Sequence, residues 1–507
     1  MAAVAAIAAL CHPSTAGAAR VIVLEGSGQA TVRIDRALAG SPPEAPLGGQ
    51  AMPRAARLRV AHERTVGGEL TRLYRSHAID SSDYHAYSAS FASALTEVKR
   101  LSPSRALELQ AVISNLHNIA AAGMLTPSRL SALFLTVDRN RQWWNTGPLL
   151  SYGQRVEFAG SELVWEYYPG QGLELQELGT FGKADWFCTA GAKYAAQCRE
   201  TLSEVVPLAA QRAGGLVWEY YFNFDGGVPP WTSAMSQGTA LQALADAYRS
   251  LGDASYLETA GRALSVFSAA PPAGVGVRTR VGLRYLQYSF APARNEEVIN
   301  GFLQSLIGLD DYARTSRNRL AARLFVEGNA EAVAELPRFD TGAWSLYQPG
   351  VEDDLSYHQL VTGFLRELCT LTRISVYCHT AARFERYLKA PPALQLLTVR
   401  LDGHQPAAVY FELSKISRVG ITLQRDAKTL FMTSADFPYG RHRFAIPKLA
   451  AGTYLVLLDA TDLAGNYKQI GGTLRVARQL TREDRQTPWS PGHGDPAPRK
   501  RAGQRAR

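Results

Sequence analysis

The sequence of 507 residues has no long apolar run, few cysteines and no recognisable metal-binding spacing. No apolar segment approaches the ~20 residues that span a bilayer, so the sequence predicts no integral membrane segment. There is no Cys-x-x-Cys or His-Glu-x-x-His motif, so the sequence contains no zinc-binding motif of these two types. We therefore expect neither a metal nor a cofactor.

Four of the five cysteines form two pairs along the chain, Cys188 with Cys198 and Cys369 with Cys378. Within one continuous helix each pair would lie too far apart to bridge, because a helix rises ~1.5 Å per residue. Across a helix–turn–helix either pair could form a disulfide, which an exported protein permits. Four buried thiols are the alternative.

The formal net charge of +9 suggests a polyanionic partner, but much of it lies at one end. Residues 476–507 hold eight basic and three acidic residues, so this segment carries more than half of the net charge. A Pro/Gly-rich basic segment of this kind is typical of a disordered, solvated tail, which we assign to residues 479–507. We expect no nucleic-acid partner.

The first 61 residues predict a leader and a linker. Residues 1–19 are Ala-rich and resemble the apolar and cleavage parts of a secretory signal, without the positively charged start. We therefore expect a secreted or cell-surface protein. Residues 20–61 are rich in Gly, Pro and Ala and predict a linker with one short β-like run at 21–24.

The next two segments differ in periodicity. Residues 62–144 are helical, with two starts written alike, Ser102-Pro103 and Thr126-Pro127, in which a hydroxyl N-cap precedes a proline. Residues 145–185 carry short alternating runs that predict strands. The sequence L-V-W-E-Y-Y occurs at 163–168 and again at 216–221, which suits either sugar-ring stacking or two similar half-buried strands.

The remainder predicts a helical domain followed by a β domain. Residues 186–390 alternate amphipathic helices with loops, which indicates an incomplete α/α toroid whose loops gather at one face and carry function. Residues 391–478 show period-two patterning in about seven strands, typical of an immunoglobulin-like β-sandwich. The predicted fold class is thus a multidomain α+β protein: a helical module, a β-rich segment, the toroid and the sandwich.

Six motifs within residues 220–390 resemble one known family. They are F-N-F-D-G-G (222–227), W-T-S-A-M-S-Q-G (231–238), Y-L-Q-Y (285–288), V-I-N-G-F-L-Q-S-L-I-G-L (298–309), F-D-T-G-A-W-S-L-Y (339–347) and S-Y-H (356–358). In sequence and order this region is similar to the C-terminal catalytic domain of the D-glucuronyl C5-epimerases. These enzymes convert D-glucuronate to L-iduronate within heparosan and heparan sulfate.

The resemblance implies a set of site residues and a partner. The family's catalytic tyrosines correspond to Tyr288, Tyr347 and Tyr357. The further candidates for substrate binding are Gln237, Trp231, Arg284, Gln287, Asn300, His358 and Tyr168. The implied partner is an anionic uronic-acid polysaccharide, and a homodimer is one option for the assembly.

Two departures from the family pattern bear on the chemistry. Gln287 stands where the family has a glutamate before the first tyrosine, so one carboxylate acid/base is missing. The loop from Tyr347 to Tyr357 is shorter than in the family and lacks an arginine that would meet the uronate carboxylate.

Epimerisation at C5 needs two acid/base groups on opposite faces of the sugar and donors for the enolate-like charge. A tyrosine acts as base only where a positive charge or a donor favours its phenolate. Arg284, Arg280 and His358 are the candidate helpers in the sequence. Two alternatives remain open: a polysaccharide lyase, which shares the first step, and a secreted, non-catalytic polysaccharide-binding protein.

Overall fold

The computed structural model describes residues 19–38, 64–290, 297–401 and 407–477. The chain divides into two compact units, residues 1–390 and residues 391–507. The expected secretory segment up to residue 18, most of the expected linker and the basic tail lie outside the described residues. Within the described part, no helix is both long and apolar enough to cross a membrane.

The N-terminal helices are α1 (Val66–Arg75), α2 (Ser81–Val98), α3 (Pro103–Ala121) and α4 (Pro127–Thr146). Both Pro-started helices begin where the sequence pattern indicates, after Ser102 and Thr126, although neither hydroxyl makes a capping hydrogen bond. Gly123 follows α3 with a φ of 70°, a left-handed conformation that glycine adopts without steric cost and that ends the helix.

A five-stranded sheet packs beside these helices. Its strands are β1 (Ala19–Leu24), β2 (Ala30–Asp35), β3 (Arg155–Phe158), β4 (Trp165–Tyr168) and β5 (Gly172–Leu175), in the order β2-β1-β3-β4-β5. Strand β1 runs parallel to β3. The beginning of the expected linker, residues 20–35, is therefore folded, because the apolar run at 21–24 pairs with a buried strand and is itself largely buried.

The helical domain contains α5 (Glu177–Thr189), α6 (Ala195–Val205), α7 (Ala234–Leu251), α8 (Ser255–Arg262), α9 (Ser265–Ser268), α10 (Ile299–Ser316), α11 (Arg319–Glu335), α12 (Leu355–Thr372) and α13 (Ser375–Tyr387). Three hairpins lie between them: β6 (Ala210–Arg212) with β7 (Gly215–Val217), β8 (Gly276–Arg278) with β9 (Leu283–Tyr285), and β10 (Leu346–Gln348) with β11 (Val351–Glu352).

Four helices, α5, α7, α10 and α12, pack side by side in that order. Each also packs against the next helix along the chain, which is α6, α8, α11 or α13 respectively. This succession of helix pairs agrees with the alternating helical hairpins that the sequence predicts.

Two features hold this arrangement together. Disulfides Cys188–Cys198 and Cys369–Cys378 join α5 to α6 and α12 to α13, with Cα–Cα distances of 5.0 and 4.8 Å. Helices α7 and α10 approach closely, since a Cβ added at Gly308 would lie 1.9 Å from the Gly238 carbonyl oxygen. The family-like glycines of these two motifs are therefore required by packing.

The C-terminal unit is a β domain. Its strands are β12 (Leu394–Leu396), β13 (Arg400–Leu401), β14 (Ala408–Leu413), β15 (Ser417–Arg425), β16 (Lys428–Phe437), β17 (Gly440–Ala445), β18 (Gly452–Asp462) and β19 (Tyr467–Val476). They form one sheet in the order β12-β14-β17 and another in the order β13-β19-β18-β15-β16, which share a core. The expected mixture of helical and sheet structure is confirmed; the immunoglobulin-like assignment stays a prediction.

Candidate active site

A cavity of about 220 Å³ lies among helices α5, α7, α10 and α12. Four of the residues predicted for the site line it: Tyr347, Tyr357, Asn300 and Gln287. They come from strand β10, from the first turns of α12 and α10, and from the loop after β9. The structure therefore brings together residues that are up to 70 positions apart in the sequence.

The two tyrosines contact each other at one part of the cavity wall. The ring centroids of Tyr347 and Tyr357 are 5.1 Å apart and the ring planes meet at 70°. Tyr347 is 8% exposed and Tyr357 is half-buried. Asp354, the N-cap of α12, accepts a hydrogen bond of 2.8 Å from the Tyr357 backbone N–H, which fixes the start of the helix.

Asn300 presents unused hydrogen-bonding groups to the cavity. Its side chain is 1% exposed and lines the cavity, yet neither its amide nitrogen nor its amide oxygen has a hydrogen-bond partner among the described residues. A buried amide without partners costs about 1–3 kcal/mol, so such groups in folded proteins are normally met by water or by a ligand. Gln287 lies against Gly301, the residue that follows Asn300, and adds a second amide to the lining.

None of the candidate helper cations lines this cavity. Arg284 is buried, forms an ion pair with Glu335 and donates to the Val298 carbonyl oxygen at 3.3 Å. Arg280 is exposed. The ring nitrogens of His358 lie 2.7 Å from the Ser345 hydroxyl and 3.0 Å from the Phe384 carbonyl oxygen. Arg284 and His358 thus make other contacts and Arg280 lies at the surface, so the described lining offers no cation to favour a tyrosine phenolate.

Three further predicted residues lie in a buried aromatic cluster and do not line the cavity. Tyr288, Trp231 and Tyr168 pack with Tyr220, Phe222, Phe224 and Phe290. Trp231 donates its indole N–H to the Phe222 carbonyl oxygen at 2.8 Å, and Tyr168 accepts from the Gln176 amide at 3.0 Å. Each of the three is at most 1% exposed, and Tyr288 does not share the cavity lining with Tyr347 and Tyr357.

Gln237 also lies outside the lining. It is fully buried and donates its amide to the Trp218 carbonyl oxygen at 2.9 Å. The two copies of L-V-W-E-Y-Y behave similarly: their rings are buried, with Tyr167 and Tyr221 the most exposed at 8% and 6%. Buried rings are not available to stack on a sugar. The alternative of two similar half-buried strands is wrong as well, because the first copy forms β4 whereas in the second copy the strand ends at Val217, before the aromatic residues.

Polar side chains from all four helices also line the cavity, and the sequence motifs did not indicate them. The Gln304 amide donates to Gln242 at 2.8 Å, and the Gln242 amide donates to Glu367 at 3.4 Å. Asp185 lies in the same lining. Burial raises the pKa of Glu367, and burial together with the neighbouring Asp246 raises the pKa of Asp185 well above its usual range.

A signal for these residues exists in the sequence. Met235, Thr239 and Gln242 on α7 recur at spacings of four and three, and Asn300 and Gln304 on α10 are four apart. Such spacing places side chains on one helix face. From Asn300, this spacing indicates that Gln304 lies on the same face of α10. Only the tertiary structure shows which face of each helix points into the cavity.

Residues 213–386 match the family model described as D-glucuronyl C5-epimerase C-terminus. The D-glucuronyl C5-epimerase of Caenorhabditis elegans is 30% identical over 181 residues, which cover 31% of this chain and 29% of that protein. An uncharacterized protein of Methanocaldococcus jannaschii is 30% identical over 137 residues, covering 26% of this chain and 44% of that protein. The chain thus spans less than half the length of these relatives.

Solved structures overlap with this chain only weakly. A sugar epimerase from a ruminal bacterium has a TM-score of 0.29 at 13% identity and covers 42% of this chain and 59% of its own. The cellobiose 2-epimerase of Spirochaeta thermophila has a TM-score of 0.33 at 13% identity, covering 52% and 69%. Overlaps of this size carry no argument about fold or function. The family match stands on the sequence: residues 213–386 are similar to the C-terminal region of the D-glucuronyl C5-epimerases, as the motifs indicate.

Proposed function

We propose that the protein is a polysaccharide uronate C5-epimerase that converts D-glucuronate to L-iduronate residues in a heparosan-like polymer. One observation carries the proposal most directly: Tyr347, Tyr357 and the unpartnered amide of Asn300 line one cavity. The cavity volume of about 220 Å³ exceeds the roughly 150 Å³ of a cavity that holds benzene, which supports the entry of a six-membered ring.

In this proposal C5 of the uronate lies within reach of both tyrosine hydroxyls, and the two rings, which contact each other in the free protein, move apart so that one hydroxyl faces each side of the sugar. The deprotonated hydroxyl of one tyrosine removes the C5 proton, and the electron pair of the broken C–H bond moves into the carboxylate. The other tyrosine then donates its O–H proton to the opposite face of C5. One turnover exchanges the protonation states of the two tyrosines, so both groups must be present for net inversion.

The charge that develops on the carboxylate needs hydrogen-bond donors, because no Lys, Arg or His is among the residues that line the described cavity. The amide N–H groups of Asn300 and Gln287 are the donors in the lining. Gln287, at the position of the missing glutamate, thereby serves as a neutral donor instead of an acid/base. Donors preorganised for such a charge contribute about 10²–10³-fold to turnover.

The lyase alternative has one observation in its favour. Tyr347 and Tyr357 contact each other along one wall, and a reaction that only removes H5 needs a single base on one face. After H5 is removed, the bond between C4 and the glycosidic oxygen would break, and the new chain end would carry a C4–C5 double bond. The binding-protein alternative predicts saturable binding of the polymer without any exchange of substrate protons.

Proton NMR of heparosan and other glucuronate polymers, incubated with the protein in D2O, separates the three functions. Loss of the H5 signal with new iduronate signals supports the epimerase, and unsaturated ends absorbing ultraviolet light support the lyase. Binding without H5 exchange on any polymer refutes both enzymatic functions.

Variants then test the site. Tyr347→Phe and Tyr357→Phe should each lower the turnover at least 100-fold, since each removes only a proton-transfer hydroxyl. Tyr288→Phe is the matched control in the same motif region and should retain turnover, because Tyr288 lies in the aromatic cluster. Loss of turnover in Tyr288→Phe alone would place the reaction elsewhere.

We also propose export to the cell surface or beyond, where an anionic polysaccharide is accessible. The two disulfides are of the kind that persists in oxidising compartments. Homodimer formation stays a prediction.

A further inference from the structure

Three buried polar side chains lie beneath the segment that joins the two cavity tyrosines. The Ser345 hydroxyl oxygen is 2.5 Å from an Asp353 carboxyl oxygen and 2.7 Å from His358 Nδ1. None of the three residues is more than 1% exposed. Ser345 is two residues before Tyr347, and His358 directly follows Tyr357, so the chain of contacts joins the two tyrosine positions.

These side chains are also enclosed by backbone contacts. Trp344 stacks on the His358 ring at a centroid distance of 3.7 Å and donates its indole N–H to the Asp353 carbonyl oxygen at 2.8 Å. The Asp353 N–H donates to the Ser345 carbonyl oxygen at 3.1 Å. The hairpin of β10 and β11 is therefore closed at its base by the same residues that contact helix α12.

The side-chain hydrogen bonds run continuously from Asp353 to His358 when Asp353 is protonated. His358 Nε2 faces the Phe384 carbonyl oxygen at 3.0 Å, so Nε2 carries a proton and Nδ1 of the neutral ring accepts. Nδ1 accepts from the Ser345 backbone N–H at 3.3 Å, and the Ser345 hydroxyl donates to Asp353 when that carboxyl is ionised. When Asp353 is protonated, it can donate to the Ser345 hydroxyl, which then donates to His358 Nδ1.

The surroundings favour that state. Burial, together with the nearby carboxylates of Asp354 and Glu352, raises the pKa of Asp353 to about 7, although the Ser345 hydrogen bond opposes the shift. From helix α13 the Phe384 carbonyl and ring face His358. Arg383, a charged residue of α13, forms an ion pair with Asp340 at 2.8 Å. Among the described residues no cation pairs with Asp353.

A serine beside a histidine and an aspartate also occurs in hydrolases, but that role does not apply. Ser345 is fully buried and does not line the cavity, so no substrate carbonyl reaches it. The three residues can act on the reaction only through the tyrosines that they hold.

We propose that the buried Asp353–Ser345–His358 chain is a positioning device that fixes Tyr347 relative to Tyr357 for proton transfer at the substrate. This inference rests on the proposed function. The hydrogen bonds of Asp353, Ser345 and His358 lie inside the protein. They fix the short β10–β11 hairpin that connects the two tyrosine positions. A misplacement of about 1 Å at such a site is enough to lower turnover about 100-fold.

The test compares Ser345→Ala and Asp353→Ala with Asp353→Asn. The two alanine variants interrupt the chain and should lower kcat for H5 exchange about 10- to 100-fold, with KM within a factor of about 3. Asp353→Asn keeps an N–H donor toward Ser345 and should restore kcat to within about 3-fold of the parent protein. It should also remove the loss of kcat that ionisation of Asp353 causes as the pH rises through about 7.

Hydrogen exchange of the free protein gives a readout that needs no substrate. In both alanine variants the backbone amides of residues 345–358 should exchange faster, while those of α3 and α4 stay protected. Unchanged kcat in both alanine variants, or faster exchange throughout residues 64–390, would overturn the inference. If the parent protein epimerises no polymer, the proposed function fails, and the exchange pattern alone then decides whether the chain holds the segment.

Discussion

Asp353 should make the protein less stable as the pH rises from about 4 to about 7. Its carboxyl is 1% exposed, one of its oxygens has no hydrogen-bond partner among the described residues, and burial raises its pKa from 3.8 to about 7. An acid whose pKa is higher in the folded state binds its proton more tightly there than in the unfolded chain. The folded state therefore gains stability at low pH and loses it as Asp353 ionises.

The magnitude follows from the shift. A difference of about three pKa units, at 1.36 kcal/mol per unit, corresponds to about 4 kcal/mol between pH 4 and pH 8. Asp353→Asn is neutral at every pH and keeps the donor toward Ser345. The variant should match the parent protein near pH 4 and exceed its free energy of unfolding by up to about 4 kcal/mol at pH 8.

Urea denaturation at pH 4, 5, 6, 7 and 8 measures this difference. Other buried acids, such as Glu335 with its pKa raised to about 7, change the parent and the variant equally and cancel in the comparison. Asp80→Asn is the matched control, because asparagine caps a helix as well as aspartate and Asp80 is an exposed N-cap, of α2, that is not among the groups acting on Asp353. A stability difference between Asp353→Asn and the parent that is constant across the pH range would refute the reasoning.

Two further predictions concern the cavity and the disulfides. Asn300→Ala should lower kcat/KM for H5 exchange about 100-fold, because it removes a donor from the cavity. The free energy of unfolding should change by less than about 1 kcal/mol, because the amide makes no hydrogen bond in the described protein. A large loss of stability without loss of activity would contradict this. Cys188→Ser should lower the free energy of unfolding by about 2–3 kcal/mol, from the loop entropy of a ten-residue separation, and leave the urea dependence otherwise similar. An unfolding midpoint insensitive to reductant in the parent protein would argue against that contribution.

Local features were predictable from the sequence. The starts of α3 and α4 follow from a hydroxyl residue before a proline, since this pattern acts within one turn of the chain. The period-two runs after residue 391 predicted strands, and strands occupy most of the described part of that unit. The cysteine spacings allowed two disulfides across helical turns without deciding between bridges and thiols.

The site was predicted in part. Tyr347, Tyr357, Asn300 and Gln287 line the cavity, as the motifs imply. Tyr288 does not, although it stands next to Gln287, because successive residues in an extended loop point in different directions. The sequence cannot show which of two neighbours turns toward the cavity and which packs into an aromatic cluster.

By itself the sequence determined what depends on neighbours along the chain: helix starts, strand alternation, and the order of the motifs that are similar to those of the epimerase family. The tertiary structure alone decided what depends on distant groups. It joined Ser345 to both His358 and Asp353, committed Arg284 to Glu335, and placed the amide of Asn300 in the cavity lining. Burial, ion pairing and proton affinity are set by the groups that folding brings together, and those groups lie far apart in the sequence.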